Sequence, residues 1–365
     1  MKSVWPLCAA GFVTAFGAHG VASGLGFLEP DLLTLGLLLA LYDGAEVVLK
    51  PVFGSLADRV GPRPVLLGGL LAFALASASF VLVDSIAVAR FGQGVAAAAF
   101  SPAASALVAR LTPDTARGRA FGRYGAWKGI GYTAGPLLGG VLIHFGGFDV
   151  LFLTMAGLAV AVALWSLTVP RLEPLPRTGQ TVLDLVRRLS RRDFLRPTAA
   201  LAAATAALAT GVGFLPVAAA AHGPAVTGAA VSVLALTAAV VQPRAGRAYD
   251  AGRITSPRPA LLAVALGFVA AALVPGLPGA FTAAVLIGAG TGVVTPLAFA
   301  ALARSTPEER LGQTMGSAEV GRELGDAGGP LLVGGLAAVA SLPVGLLALA
   351  AVITVTAWRS PAAAR

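Results

Sequence analysis

The residues best suited to chemistry are ionisable side chains within apolar stretches. Asp43, Glu46 and Lys50 stand at positions i, i+3 and i+7, a spacing that places them on one face of a helix. Glu46 precedes Lys50 by four residues, the order that favours an ion pair. Because charged side chains are costly in hydrocarbon, they mark cavities, proton paths or buried partners. The pattern predicts proton exchange and ion pairing rather than covalent catalysis.

Asp43 is the first candidate for a proton site, because pairing of Glu46 with Lys50 leaves it unmatched in the sequence. A carboxylate without a full partner suits a group that takes up and releases a proton near neutral pH. The alternative is a static bridge between Asp43 and Arg90. His19 titrates in a useful range, although a single intramembrane histidine also serves as a polar core residue. The predicted proton-coupling group is therefore Asp43, Glu46, Arg90 and His19.

A second charged group lies near the carboxyl end of the chain. Arg322 stands three residues after Glu319 and four before Asp326, at ion-pair spacings, while Glu323 adds a like charge. Three acids around one base leave a net negative cluster, which Lys128 is predicted to neutralise. We interpret Glu319, Arg322, Glu323 and Asp326 as an interbundle charge network. A structural gate and a second coupling site are equally compatible with it.

The elements that must hold these residues are membrane helices. The chain has 365 residues, 57% hydrophobic and 12% charged, with a mean hydropathy of +0.84. Soluble domains carry about 25% charged residues, which excludes a soluble enzyme. A spanning helix needs about 20 apolar residues. The apolar runs predict twelve spans, at 5–27, 32–57, 64–83, 85–109, 120–145, 148–169, 198–221, 225–242, 259–275, 279–303, 311–336 and 341–358.

The basic residues outside these spans all fall in connections on one side. The opposite connections carry Glu29, Asp31, Asp84 and Asp149 but no Lys or Arg. The positive-inside rule therefore predicts that both termini are cytoplasmic, in a bacterial inner membrane. The net charge of +9 then indicates contact with membrane lipids and not with nucleic acid.

Other function classes lack support in the sequence. It has one cysteine, Cys8, and three separated histidines, without metal-ligand spacing, a nucleotide-binding pattern or a catalytic triad. We expect no enzyme, metal or cofactor, and a proton gradient as the driving force. A membrane sensor that no longer transports is a further alternative, which would need a signalling segment that we do not expect.

The sequence contains an internal repeat. Residues 100–140 align with 294–334 at a constant shift of 194, and Asp58 is echoed by Asp250 at a shift of 192. The matched pairs include Pro102 with Pro296, Gly118 with Gly312 and Lys128 with Arg322. Transporters are commonly built from such repeats. The repeat predicts six-helix bundles at 1–170 and 198–365.

The predicted linker, 171–197, contains an amphipathic segment. Val182, Leu185, Val186 and Leu189 recur at helical spacing opposite several arginines, a pattern typical of a helix on anionic headgroups. A tether between the bundles explains this segment, and a regulatory role is the alternative.

Three motifs carry a family resemblance. They are Gly54-Ser-Leu-Ala-Asp58-Arg59-Val-Gly61-Pro62-Arg63, Ile86-x-x-x-Arg90-x-x-Gln93-Gly94 and Gly131-x-x-x-Gly135-Pro136-x-x-Gly139-Gly140. The first two resemble the loop 2-3 and span 4 signatures of the major facilitator superfamily. The third is similar to the antiporter signature of its drug:proton antiporter branch. The resemblance implies an all-α membrane fold of twelve transmembrane helices in two six-helix bundles related by a pseudo-twofold axis.

The resemblance also implies roles for the motif residues. Asp58 is expected to contact the start of span 11 near Gly312 in the outward-open state, whereas a plain turn is the alternative. Pro62 replaces the usual arginine, which predicts a weaker charge latch. The glycines and Pro136 are expected to form a pivot in span 5, although close helix packing alone also explains small residues.

A substrate cavity is predicted from the remaining residues. Its candidate lining is Lys50, Gln93, Trp127, Lys128, Phe214 and Phe299. Spans 7, 8 and 10 carry no charge, which suits a lipophilic or amphipathic solute better than a sugar. We therefore predict a monomeric, proton-coupled antiporter that exports such solutes by alternating access, a multidrug-type efflux protein. The alternative is a pH-insensitive facilitator or importer of a small metabolite such as a sugar.

Overall fold

A computed structural model describes residues 4–28, 32–82, 85–174, 187, 189–218 and 224–360, and these residues form helices without a β-strand. One helical run, Arg117–Ser166, is divided at Gly147 into α5 (117–146) and α6 (148–166). The other helices are α1 (Trp5–Leu28), α2 (Leu32–Val60), α3 (Pro62–Leu82), α4 (Ile86–Arg110), α7 (Arg192–Ala218), α8 (Pro224–Asp250), α9 (Arg258–Leu273), α10 (Leu277–Ser305), α11 (Leu311–Val339) and α12 (Leu342–Trp358). The predicted twelve-helix fold is confirmed.

Two glycines allow sharp changes of direction between helices. Gly61 has φ 92° and separates α2 from α3, and Gly147 has φ 71° between α5 and α6. Glycine adopts this left-handed backbone without a steric cost. Pro62 occupies the first position of α3, where proline is favoured because its fixed φ suits the helix and its missing N–H needs no partner.

The internal repeat is visible in the local structure. Short 3₁₀ turns at Asp114–Ala116 and Glu308–Arg310 precede α5 and α11, and they match at the shift of 194 found in the sequence. Both turns follow a Thr-Pro pair. The same local sequence therefore starts the same kind of helix in each repeat.

The helices begin and end near the ends of the apolar runs, except where polar residues extend a helix. We predicted spans starting at 198 and ending at 242, whereas α7 begins at Arg192 and α8 continues to Asp250. These predictions were wrong because hydropathy detects the apolar part of a helix and not its polar ends. Six described segments are long and apolar enough to cross a membrane by themselves: Pro62–Val81, Ile86–Arg110, Leu137–Ser166, Arg192–Leu215, Ala229–Asp250 and Leu277–Ser305.

Contacts divide the chain into two compact units. Unit 1 contains 1–113, 127–177 and 306–320, and unit 2 contains 114–126, 178–305 and 321–365. The first turns of α5 thus belong to unit 2, and the first turns of α11 belong to unit 1. The predicted bundle boundaries stay a prediction, and most of the predicted linker helix lies outside the described residues.

Each unit has its own apolar core. In unit 1, Phe16, Leu38, Leu151 and Met155 are buried together, with Phe152 stacked on a neighbouring phenylalanine ring at 4.2 Å. In unit 2, buried side chains of α7, α9, α10 and α12 form the larger cluster. The chemically active side chains are positioned by these packed helices.

The glycine motif of α5 lies against α1 within unit 1. A Cβ atom at Gly131 would lie 2.4 Å from the carbonyl oxygen of Phe12, and one at Gly135 would lie 2.7 Å from that of Phe16. Gly139 approaches Gly20 in the same way, whereas a Cβ at Gly140 would meet nothing within 4 Å. These approaches support the close-packing interpretation. The pivot stays a prediction, and the side chain of Pro136 lies outside the described ones.

We expect Gly131→Val to destabilise the protein by about 1–3 kcal/mol, because a side chain there overpacks the contact with α1. Gly140→Val is the matched control, since its Cβ enters open space. Thermal unfolding of the two purified variants, monitored by fluorescence-detected gel filtration, checks this expectation. Equal unfolding temperatures would contradict the packing described for α1 and α5.

Candidate functional site

Four charged side chains of unit 1 form a cluster, which we name the buried charge cluster: Glu46, Lys50, Lys128 and Glu319. The Nζ atom of Lys50 lies 3.0 Å from Glu46 Oε2 and 3.7 Å from Glu319 Oε2. Lys128 Nζ approaches the same Glu319 oxygen at 3.7 Å. Lys128 also donates a hydrogen bond to Ser101 Oγ at 3.4 Å. The cluster therefore joins residues of α2, α4, α5 and α11.

Burial removes the charged groups of this cluster from water, which costs free energy. Lys50 and Glu319 are 0% and 1% exposed. Two carboxylates and two ammonium groups balance in formal charge, which offsets part of the desolvation penalty of each group. Loss of one member leaves an uncompensated charge in the interior. Such an arrangement responds strongly to the addition of a single proton.

A glycine one turn before Glu319 brings α11 close to α2. A Cβ atom at Gly316 would lie 2.4 Å from the carbonyl oxygen of Lys50, so the two backbones are in direct contact. This approach lets the Glu319 carboxylate reach the Lys50 ammonium. The predicted ion pair between Glu46 and Lys50 is confirmed, as is the approach of Lys128 to the acids of span 11.

Arg90 is held by a buried hydrogen-bond network in unit 1, and it also interacts electrostatically with Asp43 and with Glu46 of the cluster. Its Nη1 donates to Gln93 Oε1 at 3.3 Å, and Gln93 Nε2 donates to Ser77 Oγ at 3.1 Å. The Arg90 guanidinium also lies 4.2 Å from the centroid of the Tyr42 ring, within cation–π distance. The partners Gln93, Ser77 and Tyr42 were not predicted, because none of them belongs to a charge pattern.

Asp43 differs from the expectation of a buried carboxylate. Its side chain is exposed, whereas Glu46 is buried in the charge cluster. Residues three apart are rotated by about 60° around a helix axis, so they share a face only broadly. His19 is likewise exposed, and its ring lies 4.4 Å from the Tyr132 ring. Their roles in proton transfer stay predictions.

The aromatic residues that were predicted to line the cavity lie in different environments. Trp127 is 37% exposed and packs edge-on against Trp5 and Phe12. Phe299 is buried and stacks on Phe121 at 5.4 Å, which places it in a packed contact. The half-buried ring of Phe214 packs against the core of unit 2.

The later part of α11 contains an ion pair between adjacent residues, beside the pairs suggested by its spacing. Arg322 forms an ion pair with the adjacent Glu323, and its carbonyl oxygen accepts a hydrogen bond from Thr205 Oγ1 at 2.8 Å. The side chain of Asp326 is exposed. Helical spacing favoured Glu319 and Asp326 as partners of Arg322, and these two pairs stay predictions.

Asp58 binds the beginning of α11 through backbone amides. The N–H of Gly312 donates to Asp58 Oδ1 at 2.7 Å, and the N–H of Gln313 donates to Oδ2 at 2.8 Å. A carboxylate at a helix N-terminus is favoured by the helix dipole. A Cβ atom at Gly54 would lie 2.2 Å from the Gly312 carbonyl oxygen, so the two helices meet closely here. The contact expected near Gly312 is confirmed.

The remaining loop-motif side chains support the connection between α2 and α3. Arg63 donates from Nη2 to the carbonyl oxygen of Leu167, and Arg59 is exposed. The contact of Asp58 uses both carboxylate oxygens and needs no charged side chain on α11, so Pro62 does not prevent it.

Unit 2 contains an equivalent contact that the sequence analysis did not predict. Asp250, at the end of α8, accepts from the N–H of Gly118 through Oδ1 and from the N–H of Arg119 through Oδ2, each at 2.8 Å. A Cβ atom at Gly246 would lie 2.1 Å from the Gly118 carbonyl oxygen. The shifts of 192 and 194 map the Asp58 contact onto this one, so the repeat held the necessary signal.

The buried charge cluster of unit 1, by contrast, has no counterpart at the equivalent positions of unit 2. At these shifts Lys50 corresponds to Gln242, and Glu319 corresponds to Gly125. In the structure Gln242 Oε1 would lie 2.4 Å from a Cβ atom at Gly125, so the equivalent place is filled by an amide and a glycine. The repeats share their helix contacts but differ in their charges.

The sequence profile of the Major Facilitator Superfamily matches residues 7–330. The chain belongs to this superfamily of membrane transporters. It is 39% identical over 140 residues to the class G tetracycline resistance protein of Vibrio anguillarum, an alignment that covers 33% of this chain and 35% of that relative. The chain therefore matches about a third of that relative's length.

Solved structures show the same fold. The human organic anion transporter MFSD10 (TETRAN) superimposes with a TM-score of 0.80 at 19% identity, covering 98% of both chains. A variant of the Escherichia coli fucose:proton symporter FucP gives a TM-score of 0.79 at 15% identity, covering 99% of both chains. The fold is thus shared by proteins with different transported solutes, and the likeness establishes architecture alone.

We expect Asp58→Ala to leave the amides of Gly312 and Gln313 without an acceptor, at a cost of about 1–3 kcal/mol for each buried donor. Hydrogen–deuterium exchange should then accelerate at 311–315. In Asp250→Ala the acceleration should instead occur at 117–121. Asp149→Ala, which removes an exposed carboxylate of α6 away from both contacts, is the control. Unchanged or uniformly increased exchange would refute the local role of these two carboxylates.

We expect Glu319→Gln to destabilise the protein by about 3–5 kcal/mol, the usual cost of removing one partner from a buried ion pair. Glu308→Gln, at an exposed position, is the control. The double variant Glu46→Gln with Lys50→Met keeps the charge balance and should be more stable than Lys50→Met alone. Chemical unfolding in detergent tests this order, and an equal loss in all variants would argue against charge balance.

Proposed function

We propose that this transporter is a proton-coupled antiporter that exports lipophilic or amphipathic small molecules from the cytoplasm. Two helix bundles would alternately open a midplane site to either side of the inner membrane, the mechanism typical of transporters built from repeats. The driving force would be the proton gradient, without a further cofactor. Both termini would lie in the cytoplasm, and the transporter would function as a monomer.

The observation that carries this proposal is the buried charge cluster. Intramembrane ionisable residues are expensive, and they commonly belong to proton relays or solute paths. A proton that neutralises Glu46 or Glu319 would leave Lys50 undercompensated and would weaken the ion pairs between α2, α5 and α11. Coupling requires only that proton and solute favour different conformations of the same protein.

Asp43 extends this site toward water. It lies one turn from Glu46, and its exposed side chain is accessible to protons that cannot reach the cluster directly. In this scheme Asp43 receives the proton first and Glu46 follows. His19 and Arg90 would modulate the transfer.

The substrate class is supported by the uncharged central turns of α7, α8 and α10 and by the tetracycline resistance relative. Apolar surfaces with few polar groups suit a lipophilic solute. Tetracycline is thus a suitable probe beside a fluorescent lipophilic cation. A facilitator or importer of a small metabolite is the second candidate, and the transport assay distinguishes it.

We expect proteoliposomes under a proton gradient to transport the lipophilic cation or tetracycline, and a protonophore to abolish this transport. Asp43→Asn should reduce gradient-driven transport by at least about tenfold, as expected when a proton-transfer group is lost. Asp149→Asn removes an exposed carboxylate of α6 and should have no effect. Initial rates are measured with both inward and outward gradients, which also determines the direction.

One result would overturn the antiport proposal and another the assigned role of Asp43. Transport that continues at the same rate without a gradient would indicate a facilitator. A wild-type rate in Asp43→Asn, with normal sensitivity to the protonophore, would exclude Asp43 as the proton site and direct attention to Glu46 and Glu319.

A further inference from the structure

A cavity of about 450 Å³ opens in unit 2, and none of its described lining residues belongs to the charge cluster. Its walls come from the ends of α7, α8, α10 and α12 and from the loop before α9. All of these ends lie on the side that charge distribution predicts to be cytoplasmic. Its volume is within the range of small-molecule and lipid headgroup sites.

The rim of the cavity is strongly basic. Arg192 and Arg196 project from the first two turns of α7, four residues apart on one face, and Arg304 projects from the last turn of α10. Asp193 is the one acidic residue in the lining. Three guanidinium groups against one carboxylate leave a formal charge of about +2. The rim is therefore suited to an anion.

The rim arginines are available for a ligand. All three side chains are exposed, and within the described part of the chain neither Arg192 nor Arg196 has an ion-pair or hydrogen-bond partner. Arg304 is fixed in direction by the ring of Tyr249, whose centroid lies 5.2 Å from its guanidinium carbon. A preoriented guanidinium binds phosphate oxygens in a bidentate manner.

The floor of the cavity is apolar, and the loop that forms its side wall is held by contacts with the end of α12. The floor is formed by small and aliphatic side chains: Ala200, Leu297, Ala298 and Ala301. The loop before α9 is tied to the end of α12, since Ser256 Oγ donates to the Ser360 carbonyl oxygen at 3.3 Å and Arg258 stacks on Trp358 at 3.4 Å. An apolar floor below a basic rim matches a ligand with an anionic head and an apolar part.

We propose that this cavity binds a phosphate group attached to an apolar or glycerol moiety, as found in anionic phospholipids and in free organic phosphates. The phosphate would contact Arg192, Arg196 and Arg304, and the attached moiety would lie on the floor formed by α7 and α10. Basic pockets between the cytoplasmic ends of membrane helices bind such headgroups in other membrane proteins. The site is independent of the transported solute, so its occupancy does not depend on the proposed antiport.

The test uses the purified full-length protein, delipidated in neutral detergent. Dioleoylphosphatidylglycerol, sn-glycerol 3-phosphate and zwitterionic dioleoylphosphatidylcholine are titrated separately, and bound ligand is counted by native mass spectrometry. We expect saturable binding of one of the two anionic ligands, phosphatidylglycerol or glycerol 3-phosphate, and no equivalent binding of the zwitterionic lipid. Arg196→Gln and Arg304→Gln should each weaken binding by about tenfold, as expected for one lost charge-assisted hydrogen bond.

Arg253→Gln is the matched control, because this arginine is exposed on the same side of unit 2 but does not line the cavity. Arg196→Gln limits the risk of a folding artefact, since it breaks no hydrogen bond or ion pair within the described residues. Binding of phosphatidylglycerol alone would identify a lipid, and binding of glycerol 3-phosphate would identify a soluble phosphate. Absence of both, or an equal loss in Arg253→Gln, would overturn the proposal.

Discussion

A fully buried ammonium group must have carboxylates close to it, and this requirement at Lys50 organises the surrounding helices. Glu46 satisfies it from the same helix at 3.0 Å, but Glu319 must come from α11, more than 260 residues later in the chain. Gly316 permits the necessary approach of the two backbones. Once Glu319 is in place, Lys128 balances its charge. The first turns of α11 belong to unit 1, in agreement with these requirements.

The two repeats share a second feature, a carboxylate that binds the start of a neighbouring helix. Asp58 and Asp250 each stand at the end of a helix and accept two backbone amides at the start of another. Unpaired N–H groups at a helix start require acceptors, and a carboxylate supplies two at a favourable end of the dipole. The repeats have kept this geometry while their interiors diverged, as Lys50 and Gln242 show. The helix contacts of the two repeats have therefore changed less than the charged residues of their interiors.

Much of the fold was predictable because its causes are local. Apolar runs indicate twelve helices, four-residue spacing gives the pair of Glu46 and Lys50, and the motif around Asp58 points to the start of α11. The exposure of Asp43 was not predictable, since it depends on which helix lies opposite. Spacing along one helix defines a face but not its neighbour. The contact of Asp250 was available from the repeat, yet its role needed the amide positions of α5.

The contacts of Asp58 and Asp250 are made to main-chain atoms, which has a consequence for how this protein tolerates inherited variation. The side chains at Gln313 and Arg119 take no part in the bonds donated by their own amides, so the contact itself places no demand on these two side chains. The preceding positions have no such freedom: a Cβ atom would lie 2.3 Å from the Gly54 carbonyl oxygen at Gly312, and 2.6 Å from that of Gly246 at Gly118. Natural diversity at each contact should thus keep the glycine unchanged.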